Sequence, residues 1–283
     1  MDRKASLLVG GLAFAEGPRW REGRLWFSDM HEECVKTVDL DGRVDVIAKV
    51  PGRPSGLGWL PDGRLLVVSM TDRRLLRLDP DGLVQLADLS RFASYHCNDL
   101  VVDAQGRSYV GHFGGDHGPD MPPPPLADLI LVGPGGDVRT VARELAFPNG
   151  AVITPDGSTL IVAESFARRL TSFDIRPDGA LVGRRVWAEL PEGVYPDGIC
   201  LDAEGAIWVA GTIARAALRV RPGGEVTDRV SVSALAIACM LGGADGKTLF
   251  VCAAESTDPD ECRANKTARI EIARVDVPHA GLP

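Results

Sequence analysis

Four side chains in this 283-residue chain carry oxygen donors and recur at a nearly fixed distance ahead of a glycine turn. Asn98 stands eight residues before Gly106, Asn149 eight before Gly157, Asp197 eight before Gly205, and Glu16 seven before Gly23. Two are carboxylates, two are carboxamides, and none is Cys or His, so the set suits a hard divalent cation. Calcium fits best, with water completing its roughly six to eight ligands, and Zn2+, Mn2+ or Mg2+ are the alternatives. Asn and Asp ahead of Gly also build turns, as in the PNG and PDG segments here, and each residue taken singly fits that use. Four in register favour the metal. The equivalent positions in the two remaining repeats are Ser55 and Ala238.

Those repeats are what must position the four oxygens. An apolar segment, a glycine turn and a run rich in Val, Ile, Leu, Phe and Trp recur around Gly23, Gly63, Gly106, Gly157, Gly205 and Gly246, at intervals of 40, 43, 51, 48 and 41 residues. In the first five, a second hairpin signal follows around Gly42, Gly82, Gly136, Gly179 and Gly224, so each unit reads as a four-stranded antiparallel meander. Four strands per repeat of roughly 40–50 residues is the signature of a propeller blade. The expected fold is therefore all-β, a six-bladed β-propeller with four-stranded antiparallel blades, spanning residues 1–283 as a single propeller. The sixth unit has three strands before the chain stops at HAGLP, and the N-terminal ASLLVGGL supplies its missing outer strand, so the two termini meet in one blade. A β-sandwich of similar strand count would not explain the six-fold period.

Composition narrows the partners. The balance of 31 Lys and Arg against 39 Asp and Glu gives a net charge of −8, which leaves no basic surface for a nucleic-acid backbone. No apolar run approaches the roughly 20 residues that span a bilayer, and the N-terminus lacks a secretory cleavage site, so neither membrane nor export is expected. Cysteines at 34, 97, 200, 239, 252 and 262 show neither a CxxC pair nor zinc spacing, which suits a reduced, cytoplasmic setting. The oligomeric state is left open.

The segments AEGPRW, NDLVVDAQGRSYVG, FPNGAVITPDGSTLIVAES, YPDGICLDAEGAIWV and GGADGKTLFVCAA together resemble the SMP-30/gluconolactonase/luciferin-regenerating group of six-bladed propellers. The resemblance runs along essentially the whole chain. It implies that Glu16, Asn149 and Asp197 bind one divalent metal, and that Asn98 lies beside it and contacts the metal, its water or the substrate. It further implies a metal-dependent hydrolase acting on a small lactone or related ester. Two residues before Asn98, sugar-lactone members often carry an Arg that grips substrate hydroxyls, whereas this chain has His96. The expected substrate is therefore a lactone or ester with fewer hydroxyls than gluconolactone.

On that reading the carbonyl oxygen is polarised by the cation, which also stabilises the oxyanion, and no serine nucleophile is needed. Asp197 is expected to activate the attacking water and Asn98 to orient that water or the ring oxygen. His96 is expected to donate to substrate or move a proton, with plain channel lining as the alternative. The third blade carries an insert, because its two turn glycines are 30 residues apart against 19 in blades one, two and five, and prolines fill positions 122–125. Such an insert reads as a substrate-shaping loop. His112 and Phe113 at its start are placed as substrate contacts, with a solvated loop as the alternative for His112 and for His117. His31, in FSDMH, falls near the metal face or in a loop, and His279 lies in the tail. Two other readings stay open: a phosphotriesterase-like hydrolase, because the same cation polarises a phosphoryl oxygen, and a non-catalytic calcium-binding propeller.

Overall fold

In a computed structural model, which describes residues 2–116 and 121–281, each repeat becomes one antiparallel sheet. His117 lies outside the described residues. Blade one comprises Ala15–Arg21, Arg24–Asp29, Cys34–Val38 and Val44–Lys49. Blade two comprises Pro54–Trp59, Leu65–Ser69, Arg74–Asp79 and Gly82–Asp88. Blade three comprises Cys97–Val102, Ser108–His112, Ala127–Val132 and Val138–Leu145. Blade four comprises Pro148–Ile153, Thr159–Glu164, Arg169–Ile175 and Leu181–Glu189. Blade five comprises Pro196–Leu201, Ile207–Gly211, Ala216–Val220 and Val226–Ser231. Leu235–Gly242, Thr248–Ala254 and Ala268–Arg274 begin blade six.

The burial of each strand follows its radial position. Pro148–Ile153, innermost in blade four, is buried at every residue, whereas Val44–Lys49, outermost in blade one, is mostly exposed. A strand buried on both faces loses polar alternation and reads as a continuous apolar run, which is why the inner strands were the easiest to find. Apolar side chains from neighbouring blades fill the wedges between sheets. Leu66 and Val68 of blade two meet Leu100, Val110 and Ile130 of blade three, and Val152 and Ile161 of blade four meet Ile199 and Val209 of blade five. The six innermost strands touch in sequence and close into a ring.

Ser6–Leu12 pairs antiparallel with Ala268–Arg274, with Ser6 opposite Ile272, and so completes blade six from the other end of the chain. Two elements go beyond the sequence reading. Asp2–Lys4 adds a fifth strand to blade five, parallel to Val226–Ser231, and covers an edge that would otherwise expose unpaired backbone groups. The Arg3 guanidinium then bridges the two blades, donating to the Arg274 carbonyl at 2.6 Å while lying 3.4 Å from Asp228. A short helix, Pro259–Asn265, joins two strands of blade six and packs on the Met30–Glu32 turn of blade one. Asp258 caps it through the backbone N–H groups of Asp260 and Glu261, and Pro259 begins it, a start signal embedded in DPDE.

Candidate active site

Each inner strand breaks its pairing register near its start. The breaks fall between Glu16 and Arg19, Pro54 and Leu57, Cys97 and Leu100, Pro148 and Ala151, Pro196 and Ile199, and Ala236 and Ala238. A bulge bends the strand and re-aims its side chains. Ser55, Asn98, Asn149 and Asp197 lie within these unpaired steps and Glu16 at the edge of one, so the oxygen-bearing side chains singled out in the sequence share one structural device. Close packing of the ring depends on small residues beside them. A Cβ on Gly150 would stand 2.6 Å from the Ile199 nitrogen, and one on Gly56 2.3 Å from the Leu100 nitrogen.

Hydrogen bonds join these positions from blade to blade. Ser28 Oγ donates to the Ser55 carbonyl at 2.6 Å, Ser55 Oγ approaches Asn98 Oδ1 at 3.5 Å, and Asn98 Nδ2 donates to the Pro148 carbonyl at 3.3 Å. Asn149 Nδ2 donates to Ser165 Oγ at 3.3 Å, and that hydroxyl donates to the Pro196 carbonyl at 2.6 Å. Asn149, Thr212 and Glu16 lie close enough to Asp197 to act on its carboxyl. Glu16 also accepts from the Gly17 backbone N–H. The structure therefore brings Glu16, Asn149 and Asp197 together, with Asn98 beside them on the adjoining strand.

The surroundings of that cluster disfavour its ionised carboxylates. Burial, the Asp197 charge and the Asp99 charge push the Glu16 carboxyl well above its ordinary range, against the Gly17 N–H and the Arg19 charge. Burial and the Asp99 charge raise Asp197 to about 7, although Asn149, Glu16 and Thr212 pull it down. Asp197 lies deep in the molecule yet keeps part of its surface open to the channel. Burial also raises Asp99, against the Arg19 guanidinium, which donates to Asp99 Oδ1 at 3.0 Å and to the Leu100 carbonyl at 2.8 Å. Three carboxylates and one guanidinium thus share the interior, so full ionisation leaves two negative charges.

A divalent cation fits that deficit. Asn149 Oδ1 is buried without any hydrogen-bond partner, as an amide oxygen placed to meet a cation would be. Among the described residues no three His, Cys, Asp or Glu side chains gather around one point, so a metal here must use carboxamide oxygen as well as carboxylate. Glu16, Asp197 and Asn149 Oδ1 supply that donor set, with Asn98 Oδ1 at its side, and oxygen donors of this kind suit calcium.

His96 and Phe113 lie together at the rim. Phe113 donates its backbone N–H to the His96 carbonyl at 2.9 Å and stacks on Phe147 with ring centres 4.7 Å apart. His96 stacks on Tyr95 at 4.2 Å, and Phe147 meets Phe166 edge-on at 5.2 Å. Since Phe147 precedes Asn149 by two residues, as His96 precedes Asn98, this aromatic row lies one strand step from the carboxamides, over blades three and four.

His112, expected as a substrate contact, is buried at the end of its strand. Backbone N–H groups of Gly114 and Asp128 point at its Nδ1 and Nε2 at 3.1 and 3.0 Å, which ties the buried ring to the base of the insert. A neutral imidazole accepts only one of these, and burial holds the ring below its ordinary pKa, toward the neutral form. Four contributors were not found in the sequence: Asp99, Arg19, Ser165 and Thr212. Asp99 is visible in the ND pair and Arg19 in AEGPRW, but neither falls at the counted position. Ser165 and Thr212 follow the second strands of their blades, where no repeat signal points to them.

Comparison with known proteins agrees with this architecture. The family model described as SMP-30/Gluconolactonase/LRE-like region matches residues 14–255. An L-arabinolactonase of Azospirillum brasilense is 33% identical over 158 residues, which span 55% of this chain and 50% of that protein. A gluconolactonase structure from Xanthomonas campestris superposes with a TM-score of 0.75 at 26% identity, covering 98% of this chain and 89% of the other. A calcium-binding protein, regucalcin, from Agrobacterium tumefaciens gives 0.78 at 23% identity, covering 100% and 99%, and shares the fold.

Proposed function

The chain belongs to the SMP-30/gluconolactonase/LRE-like family, and we propose that it is a divalent-metal-dependent hydrolase that opens a lactone or related ester. The observation that carries this reading is the Glu16–Asp197 pair, two interior carboxylates in mutual contact beside the unpartnered Asn149 Oδ1. The lactonases among its relatives support lactones as the substrate class. One bound divalent cation, calcium in the first place, would supply Lewis acidity at the substrate carbonyl and charge stabilisation for the oxyanion.

The chain's own residues do the rest. Asp197, with a face open to the channel, takes the proton from the attacking water. Asn98 uses one amide N–H to hold the Pro148 carbonyl and has the second free to orient that water or the ring oxygen. Phe113, Phe147 and Phe166 offer apolar surface where a sugar lactone would need donors, and His96 offers one donor in place of the five of a guanidinium. These features support a lactone or ester with few hydroxyls. The six free cysteines support a reducing, cytoplasmic setting.

The test is to strip the protein with chelator, restore single divalent metals, and follow acid release from a lactone panel and a phosphotriester. Metal-restored lactone opening supports the reading. Turnover of the phosphotriester alone favours phosphoryl chemistry, and calcium binding with no turnover of any substrate leaves a binding scaffold.

A further inference from the structure

The position two residues ahead of Glu16, Ser55, Asn98, Asn149, Asp197 and Ala238 lies at the start of each inner strand, and around the six blades it holds Phe14, Arg53, His96, Phe147, Tyr195 and Ala236. Arg53 is the one permanent charge in that set. Its backbone is held in the left-handed region, φ 61°, by its own N–H on the Val50 carbonyl at 3.0 Å and by the Met70 N–H on its carbonyl at 2.9 Å. Its half-buried guanidinium has no carboxylate within ion-pair distance among the described residues. A guanidinium held at a channel rim without a partner has its donors available to a ligand.

His31 lies on the adjoining turn, because Val50, whose carbonyl holds the Arg53 N–H, donates its own N–H to the Glu33 carbonyl at 2.7 Å, directly after the Met30–Glu32 turn. It is 5% exposed, lies on the Met30–Glu32 turn with its ring 5.1 Å from that of Phe14, and its Nδ1 is buried with no hydrogen-bond partner. Four charged groups act on it: Arg53 most strongly, then Arg263, Asp29 and Asp258. Three of these are already committed. Asp29 is 2.7 Å from Lys36 Nζ and accepts the Phe14 N–H, Asp258 caps the short helix of blade six, and Arg263 is bonded to Asp260. The Arg53 charge is left over. Burial and that charge lower His31 to about 4, so near neutral pH the ring is an uncharged donor rather than a second cation.

We propose that Arg53 and His31 form an anion-binding subsite at the channel rim, and that the substrate carries a carboxylate that occupies it. The planar fork of Arg53 matches a carboxylate, and the His31 Nδ1–H supplies a further donor to the same group. With the Glu16 and Asp197 charges neutralised by a divalent cation, the channel floor does not repel an anionic substituent at the rim. The proposal rests on the lactone reading for the reaction but not for the binding. The substrate would be a lactone with its ring over the carboxamides and a carboxylate reaching blades one and two, beside the aromatic row.

The experiment compares 5-oxotetrahydrofuran-2-carboxylate with γ-valerolactone, which has a methyl in place of the carboxylate, on the metal-loaded native protein and on Arg53→Gln, Arg53→Lys and His31→Leu. The expected result is that native protein prefers the carboxylate lactone, that Arg53→Gln lowers the ratio of the two kcat/KM values by roughly 10–100-fold, and that Arg53→Lys restores part of it. An unchanged ratio in Arg53→Gln overturns the subsite while leaving lactone opening intact. If neither lactone is opened, calorimetry with 2-hydroxyglutarate and 4-hydroxypentanoate on the calcium-loaded protein decides. Tighter binding of the dicarboxylate that depends on Arg53 and His31 sustains the subsite and rejects the lactone reading. Equal binding by native protein and both variants rejects the subsite.

Discussion

Arg19 on the inner strand of blade one donates to Asp99 on the inner strand of blade three at 3.0 Å, beside Gly56 of blade two. Both side chains are almost wholly buried, and Gly56 between them has no room for a Cβ. The pair ties together strands that share no backbone hydrogen bond. It also commits the Arg19 guanidinium to Asp99, so no ion pair with it neutralises Glu16 or Asp197.

Arg19→Met should strand the Asp99 carboxylate in the interior and destabilise the fold by about 3–5 kcal/mol, the usual cost of breaking a buried pair from one side. Arg19→Met combined with Asp99→Leu should recover much of that loss. Urea unfolding of the native protein, Arg19→Met, Asp99→Leu and the double variant measures it, and a double variant as unstable as the sum of the singles would show that the two residues act separately.

Asp197→Ala should remove lactone opening and weaken metal binding together, with a loss of kcat of roughly 10²–10⁴-fold if this carboxylate serves as base. Initial-rate kinetics and calcium calorimetry on the same preparation give both quantities. Full turnover in the variant would refute both of its roles.

Metal-free protein should lose stability as pH rises from about 5 to 8. In the unfolded chain Glu16 and Asp197 ionise near their ordinary 4.5 and 3.8, whereas the folded chain holds the protons higher, to about 7 for Asp197. Between those points the folded state binds more protons than the unfolded one, so its stability is present at low pH and is lost as pH climbs through the folded values. Added calcium should raise Tm and flatten that slope, because it binds the ionised pair in the folded chain alone. Thermal melts across the pH range, with calcium and with chelator, test it; a midpoint indifferent to chelator at pH 8 speaks against the site.

Phe147→Ala should lower kcat/KM about tenfold for alkyl-substituted lactones and much less for hexonolactones, since it removes the ring on which Phe113 stacks. If a hexono- or pentonolactone proves the better substrate of the native protein, the aromatic row has another use and His96 must be reassigned.

The six blades and the shared register of the four oxygen-bearing side chains were legible in the sequence for one reason. Every inner strand is buried on both faces and ends at a glycine turn, so counting back from Gly106, Gly157 and Gly205 lands at the same depth in each blade. Glu16, one residue nearer its glycine, still fell within reach of the count. Asp99 did not, because it follows Asn98 where the other bulged blades one, two, four and five place glycine, and a bulge lets two adjacent side chains both act inward. The backbone contacts of His112 were hidden for a related cause. It ends a strand beside the insert, and only the fold reveals that the backbone of Gly114 and Asp128 claims its ring. The Asp2–Lys4 strand carries no alternation to read at three residues and exists because blade five offers it an edge.

Blade six, which takes its outer strand from Ser6–Leu12, sets a timetable as well as a shape. Ser6 and Ile272 are partners although nearly the entire chain separates them, so on a ribosome the first long strand emerges with nothing to pair with until the last one has been made. Contacts this distant in sequence form slowly, since loop closure precedes any reward. Five blades can assemble as they are synthesised, while the ring waits open and Leu7, still 63% exposed when folded, waits with it. Ring closure is accordingly the step at which a slow refolding phase and the greatest tendency to aggregate should coincide.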